Sequence, residues 1–363
     1  MNRLRTPIAV LDDAPQLDKA PGQALKSTNT KPTSSNRSPG LDLLPAEAGV
    51  SVRTPQSGRF GKKNDFCLAL WATIVALVCA GLMPVHGAEP PILPPLSVVP
   101  GSPRLPGKFV WADLVTDNIP AARDFYGKLF GWTFRASGPD PGAYTIAEID
   151  ERPLCGIVQA PPRAGTNGNP RWVGYISVSS VPRAQRAVLK AGGQELLAPQ
   201  KLPKRGEQAV FADPEGAVFG VIKSSSGDPQ DYLAEPGEWI WIQLLSRDAR
   251  RTAGFYRDVA GYEVVDNVDS TMANDFVLVS GEFARATVTE IPPDMPQVRP
   301  AWLPFARVKQ IAESVAQAQQ LGGKILIAPQ SELFNGKIAV VADPRGAAIG
   351  LLEWEATPKQ GGQ

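Results

Sequence analysis

The sequence predicts an α+β protein built from four β-α-β-β-β modules, paired into two domains with curved antiparallel sheets. Three observations carry this. The first is a long phrase that occurs twice: residues 206–223 read GEQAVFADPEGAVFGVIK and residues 336–353 read GKIAVVADPRGAAIGLLE. Upstream, AGGQELLAPQ from Ala191 answers LGGKILIAPQ from Leu321, and ARDFYGKLFGW from Ala122 answers TAGFYRDVAGY from Thr252. The second is the offset. Phe125 and Phe255, Gly192 and Gly322, Pro199 and Pro329, and Asp213 and Asp343 are each 130 positions apart. That exceeds the roughly 20–50 residues of a solenoid period and matches the length of a domain. The third is that each copy contains the same order of elements twice.

In the first copy, residues 109–115 form an apolar strand. Asn118 and Pro120 mark a helix start, because a side-chain oxygen can take the free N–H groups and proline is tolerated in the first turn. Ala122, Phe125, Tyr126, Leu129 and Phe130 then recur at helical spacing, and Gly131 stops the helix. Short strands follow over 132–135, 143–149 and 154–159, separated by Gly, Pro and Asp. The order then repeats. A strand covers 172–178 and a helix covers 182–191, with Ala184, Val188 and Leu189 on one face. Further strands cover 195–197, 208–212 and 217–223. Asp213-Pro214-Glu215-Gly216 is the turn before the last strand. The second copy follows the same order.

These elements place the domains at 107–225 and 237–356, with a linker over 226–236 and a tail over 357–363. The first 65 residues are rich in Pro, Ser, Asn, Thr and Gly and lack periodicity, which predicts a disordered extension. Residues 66–88 begin with FCLALWATIVALVCAGLMPV. A basic flank (Arg59, Lys62, Lys63), an apolar run and small residues make an export signal, with cleavage after Gly87 or Ala88. The run is also nearly the ~20 residues that an uncleaved membrane anchor needs. Either way the repeated domains face outward, which places them in the periplasm, outside the cell, or tethered to the inner membrane. Residues 89–106 read as a Pro-rich linker.

Charge and cysteine content exclude several classes. The chain has 37 Lys and Arg against 36 Asp and Glu. No basic stripe interleaves with aromatics, so nucleic acid is not an expected partner. The only contact with a membrane would run through the N-terminal apolar segment, and oligomeric state is left open. Cys67 and Cys79 lie in that segment, so Cys155 is alone in the domains and has no partner for an internal disulfide. The single histidine, His86, precedes the domains, which therefore hold no Ser-His-Asp or Cys-His arrangement.

The module order, with a DPxG turn before each closing strand and the FYGKLFGW phrase, resembles the vicinal oxygen chelate superfamily, which includes glyoxalase I, extradiol dioxygenases and bleomycin-binding proteins. The resemblance covers nearly all of residues 108–355. It implies cups of curved sheet that hold a ligand, and in many members a divalent metal bound by His, Gln or Glu from the first and last strands of each module. Here the implied positions fall on Trp111 and Trp241, on Val173 or Trp172, on Leu303 or Trp302, and on Gly220 and Gly350. None is a metal-ligand type, so the expectation is a lineage with no metal and no cofactor.

Indoles stand where ligands would be. Trp111, Trp172, Trp241 and Trp302, with Tyr175 and Gln243, are the candidate ligand-binding residues, because flat rings can stack on an aromatic small molecule. They could equally plug the cups as core. Asp113 lies two residues after Trp111 on the same strand face, and Glu148 alternates with Tyr144 and Ile146; these two are candidate general bases. Three functions stay open: a binding protein for a small aromatic or amphiphilic molecule, an enzyme working without metal or with atypical carboxylate ligands, and an interaction module with filled cups.

Overall fold

The computed structural model describes residues 93–138, 144–160, 170–268, 270 and 274–355. The expected disordered extension, the export or anchor segment 66–88 and its cleavage point lie outside the described residues. No helix among the described residues is long and apolar enough to cross a membrane.

The first copy runs β1 (Phe109–Thr116), α1 (Ile119–Phe130), β2 (Thr133–Ala136), β3 (Tyr144–Ile149), β4 (Arg152–Gln159), β5 (Arg171–Ser177), α2 (Val181–Lys190), β6 (Gln194–Leu202), β7 (Gly206–Ala212) and β8 (Val218–Ser224). The second runs β9 (Trp239–Ser246), α3 (Ala249–Ala260), β10 (Glu263–Asp266), β11 (Asp275–Ser280), β12 (Phe283–Glu290), β13 (Ala301–Val308), α4 (Ile311–Gln320), β14 (Lys324–Ile327), β15 (Ile338–Ala342) and β16 (Ala348–Glu353).

The local signals act as the chemistry requires. Asn118 accepts from the Ala121 N–H at 3.0 Å, and Asp248 does the same for Arg251 at 3.0 Å, so both long helices begin on a side-chain cap. Gly131 and Gly261 end those helices at φ 76° and 80°, a left-handed conformation that glycine takes without a Cβ clash.

Each copy makes one eight-stranded sheet, in the orders β2-β3-β4-β1-β5-β8-β7-β6 and β10-β11-β12-β9-β13-β16-β15-β14. Hairpin pairs within a module are antiparallel. Each module's last strand returns parallel to its first, as β4 does beside β1 and β8 beside β5. The two modules of a copy meet through the antiparallel pairs β1–β5 and β9–β13.

The helices lie between the two sheets. One core cluster joins Ile176, Val188 and Phe219 of the first copy to Leu244, Phe255 and Tyr256 of the second. Another joins Leu114, Phe125 and Tyr126 to Val308, Val315 and Val341. Each fully buried side chain of this size contributes about 1.5–3 kcal/mol, so the copies share their main apolar stabilisation. The repeated motifs also meet across this layer. The Tyr256 hydroxyl donates to Asp213 Oδ2 at 3.1 Å, and the Tyr126 hydroxyl donates to Asp343 Oδ2 at 3.2 Å. Each turn aspartate keeps its other oxygen for its own turn: Asp213 Oδ1 accepts from the N–H groups of Glu215 and Ala217, both at 2.9 Å.

The concave faces therefore point away from each other. The segment expected as a Pro-rich linker is docked, from residue 93 onward, on the first copy. Leu93 is buried, Arg104 Nε donates to the Ser224 carbonyl at 2.9 Å, and the Leu105 N–H donates to Asp228 Oδ2 at 2.6 Å.

Candidate functional site

A register shift at Val110 in β1 sets Trp111, Asp113 and Val115 on the concave face of the first sheet, beside Tyr144 and Ile146 of β3 and Val173 and Tyr175 of β5. Trp111, Asp113 and Tyr144 satisfy one another there. Trp111 Nε1 donates to Asp113 Oδ1 at 2.9 Å, and the Tyr144 hydroxyl donates to the same oxygen at 2.7 Å. Burial pushes the Tyr144 hydroxyl well above the usual phenol range, and the Asp113 charge adds to it. Arg205 lies over the Trp111 ring at 4.2 Å from its centroid and donates from Nη1 to the Pro94 carbonyl at 3.1 Å. Its guanidinium is wholly buried, which lowers its pKa. Trp111, Asp113, Tyr144, Tyr175 and Arg205 are all under 8% exposed, so this cup is filled.

The second cup is built from the same strands and left looser. Trp241 Nε1 donates to Thr287 Oγ1 at 3.1 Å. Gln243 Nε2 donates to Thr289 Oγ1 at 2.6 Å, and that hydroxyl donates on to Asp275 Oδ1 at 2.8 Å. Trp241 and Gln243 are half-buried, as are Ile338, Ala348 and Trp354 around them. The 130-residue offset puts Asn335 in the place of Arg205.

Two of the expected cup residues are elsewhere. Trp172 and Trp302 face the helix layer, not the cups. Trp172 packs edge-on against Tyr126 and Trp239, with centroids 5.5 and 5.0 Å away, while Trp302 Nε1 donates to the Tyr256 hydroxyl at 2.8 Å. The cause is strand parity: Trp172 and Tyr175 are three apart, so one strand cannot present both on one face. Their neighbours Val173 and Leu303 take the concave positions. Asp113 is inside the first cup. Glu148 lies on an edge-side strand and pairs with Arg135 Nε at 2.6 Å. Arg205 and the Leu93–Pro94 segment were missed. The signal available was the mismatch between KRGEQ and FNGKI just where the copies otherwise agree.

A glyoxalase-like domain model matches residues 110–222, and the glyoxalase/bleomycin resistance protein/dioxygenase superfamily model matches residues 240–351. The chain belongs to this vicinal oxygen chelate superfamily, with two tandem domains. A putative glyoxylase, CFP32, of Mycobacterium tuberculosis is 29% identical over 67% of this chain and 93% of its own length. The anthracycline biosynthesis protein DauV of a Streptomyces species is 28% identical over 68% of this chain and 94% of its own. The Mn(II)-bound glyoxalase of Novosphingobium aromaticivorans superposes with a TM-score of 0.45 at 17% identity, over 69% of this chain and 82% of that one.

A metal of the kind many superfamily members use does not fit these residues. The parallel pairings put Asp113 beside Gly156, Tyr175 beside Gly220, Gln243 beside Thr287 and Phe305 beside Gly350. Only one of those eight carries a carboxylate, and it already accepts two hydrogen bonds. A Cβ at Gly220 would sit 2.2 Å from the Tyr175 ring, and one at Gly350 would sit 2.2 Å from the Phe305 ring. Aromatic rings thus fill the space a closing glutamate would need. Among the described residues, no three His, Cys, Asp or Glu side chains converge.

Proposed function

We propose that this chain is a metal-independent small-molecule binding protein whose second cup takes a flat aromatic or amphiphilic ligand, and that its domains work outside the cytoplasm. The observation that carries the reading is the half-open pair Trp241 and Gln243. An indole face and a side-chain amide on one concave wall can stack on a ring and hydrogen-bond its substituent. Small-molecule sites commonly join a mostly apolar wall to a few placed polar groups. The anthracycline biosynthesis name of a relative supports a polycyclic aromatic ligand. The residue set supports independence from metal, since Trp111, Val173, Trp241 and Leu303 offer no ligand atom of the usual kind. The apolar segment after Arg59, Lys62 and Lys63 supports export.

The test is titration of hydroxylated anthraquinones into the purified protein, read by tryptophan fluorescence. Saturable quenching that disappears in Trp241→Ala and persists in Trp111→Ala is expected. Quenching that depends on Trp111 instead would reject the second cup as the site. Metal analysis after dialysis should find no stoichiometric Zn, Ni, Mn or Fe; about one ion per domain would refute metal independence. Fractionation should place the domains outside the cytoplasm in soluble form, and a salt-resistant full-length chain in the membrane fraction would show the anchor instead.

A further inference from the structure

A cavity of about 210 Å³ lies where the two copies meet. Its wall comes from the starts of β1 and β9 and from the 229–234 stretch that crosses between the copies, with Phe109, Leu233 and Ile242 in the apolar lining. Trp111 and Trp241 border it; Asp113, Gln243 and Phe305, deeper in the cups, do not.

Three charged side chains line the same space. Asp231 Oδ1 accepts from Lys108 Nζ at 2.9 Å and from Arg285 Nη1 at 2.8 Å, and Lys108 Nζ also donates to the Pro229 carbonyl at 2.7 Å. Two cations therefore face one carboxylate in the wall, with the Arg285 side chain only 4% exposed. Asp228 is a further carboxylate near Lys108, but it stands outside the wall, and its Oδ2 accepts from the Leu105 N–H and the Ser177 hydroxyl, both at 2.6 Å. Burial lowers the Lys108 pKa against the pull of Asp231. Buried cations are stabilised by full pairing, and here two of them share the single carboxylate of Asp231 in the wall.

We propose that the junction cavity binds a small aromatic carboxylate of one or two rings, with the ring on the apolar wall and the carboxylate against Lys108 and Arg285. The volume fits, since roughly 150 Å³ of apolar cavity is enough for benzene. Arginine presents a planar fork that matches a carboxylate, and lysine adds a point charge. This site adjoins the second cup at Trp241 but is set apart from it by Lys108, Asp231 and Arg285, which contribute nothing to the Gln243–Thr289 wall.

The experiment is calorimetric titration of 2-naphthoate into the purified full chain, with 2-naphthamide as the neutral comparison. One molecule of 2-naphthoate should bind per chain, and the amide should bind at least about tenfold more weakly, a difference of about 1.4 kcal/mol. Arg285→Gln should weaken 2-naphthoate by about tenfold or more. Leu233→Trp fills the cavity from its half-buried lid without touching a charge, and it should do the same. Gln243→Ala alters the second cup and should leave this affinity within about twofold. Absence of binding at millimolar concentration, equal affinity for the amide, or full affinity in a folded Leu233→Trp protein would overturn the proposal. Loss of binding in Gln243→Ala would move the ligand to the cup. If Arg285→Gln does not fold, the Leu233→Trp result decides.

Discussion

The two cups share a strand order and a starting tryptophan, but the first is filled and the second leaves Trp241 and Gln243 half-buried. In the first, Arg205 covers the Trp111 ring, Asp113 takes both the indole and the Tyr144 donors, and Pro94 accepts from Arg205. In the second, Asn335 replaces Arg205, Gln243 replaces Asp113, and Trp241 stays half-buried. The sheets share their order, but β6 covers Gln194–Leu202 while its counterpart β14 covers only Lys324–Ile327. The difference lies in the length of that outer strand, in the loop position that follows it, and in a segment upstream of the repeat. Duplication left one half free to become core while the other kept a surface.

The largest expected difference is in the tryptophans. Trp111→Ala should cost about 3–5 kcal/mol in chemical unfolding, as for a packed aromatic. Trp241→Ala should cost about 1–2 kcal/mol, because less of its surface is removed from water. Equal costs would remove the contrast. Next come the glycines beneath the rings. Gly220→Ala should destabilise by about 1–3 kcal/mol, since the buried Tyr175 has little room to yield. Gly350→Ala should cost a similar amount, because Phe305 is as buried as Tyr175 and its ring stands as close to the glycine; unfolding midpoints measure both.

The interface between the copies sharpens the comparison further. Tyr256→Phe removes a hydrogen bond to Asp213 and also leaves Trp302 Nε1 without an acceptor. Tyr126→Phe removes the bond to Asp343, while Trp172 Nε1 makes no hydrogen bond of ordinary geometry among the described residues. Both should destabilise by about 1–2 kcal/mol, with Tyr256→Phe the costlier. The smallest effect is in pH. Burial raises the Asp213 carboxyl to about 6, against the lowering effect of its hydrogen bonds, while an unfolded aspartate titrates near ~3.9. Between those values the folded chain holds a proton that the unfolded chain has lost. Its contribution to stability is therefore full below about 4 and is lost as pH rises through about 6. The wild type should gain on the order of 1 kcal/mol over Asp213→Asn as pH falls across that window, measured by denaturant unfolding.

The element order was legible in the sequence because its signals are local. Asn118 and Gly131 bound a helix by capping chemistry, and the DPxG turns fix where the closing strands begin. The cup contents were only partly legible. Trp111 and Asp113 share a face by simple alternation, and the structure has them there. Trp172 could have been excluded by counting parity from Tyr175. Arg205 could not have been placed in the same way. A guanidinium beside a turn glycine reads as solvated, and only the fold shows that β6 and β7 carry it under Leu93. The 93–106 segment failed for a related reason: proline-rich composition argues against helix and strand, but not against docking as an irregular strap.

The crossed pairs Tyr126–Asp343 and Tyr256–Asp213 have a further consequence. Residue i of one copy meets residue j of the other, and j of the first meets i of the second. That reciprocity is the rule of an isologous two-fold dimer, here written along a single polypeptide. A single copy cut free would carry two halves of the same handshake, a phenol without its carboxylate and a carboxylate without its phenol. The surface that completes both is another copy of itself.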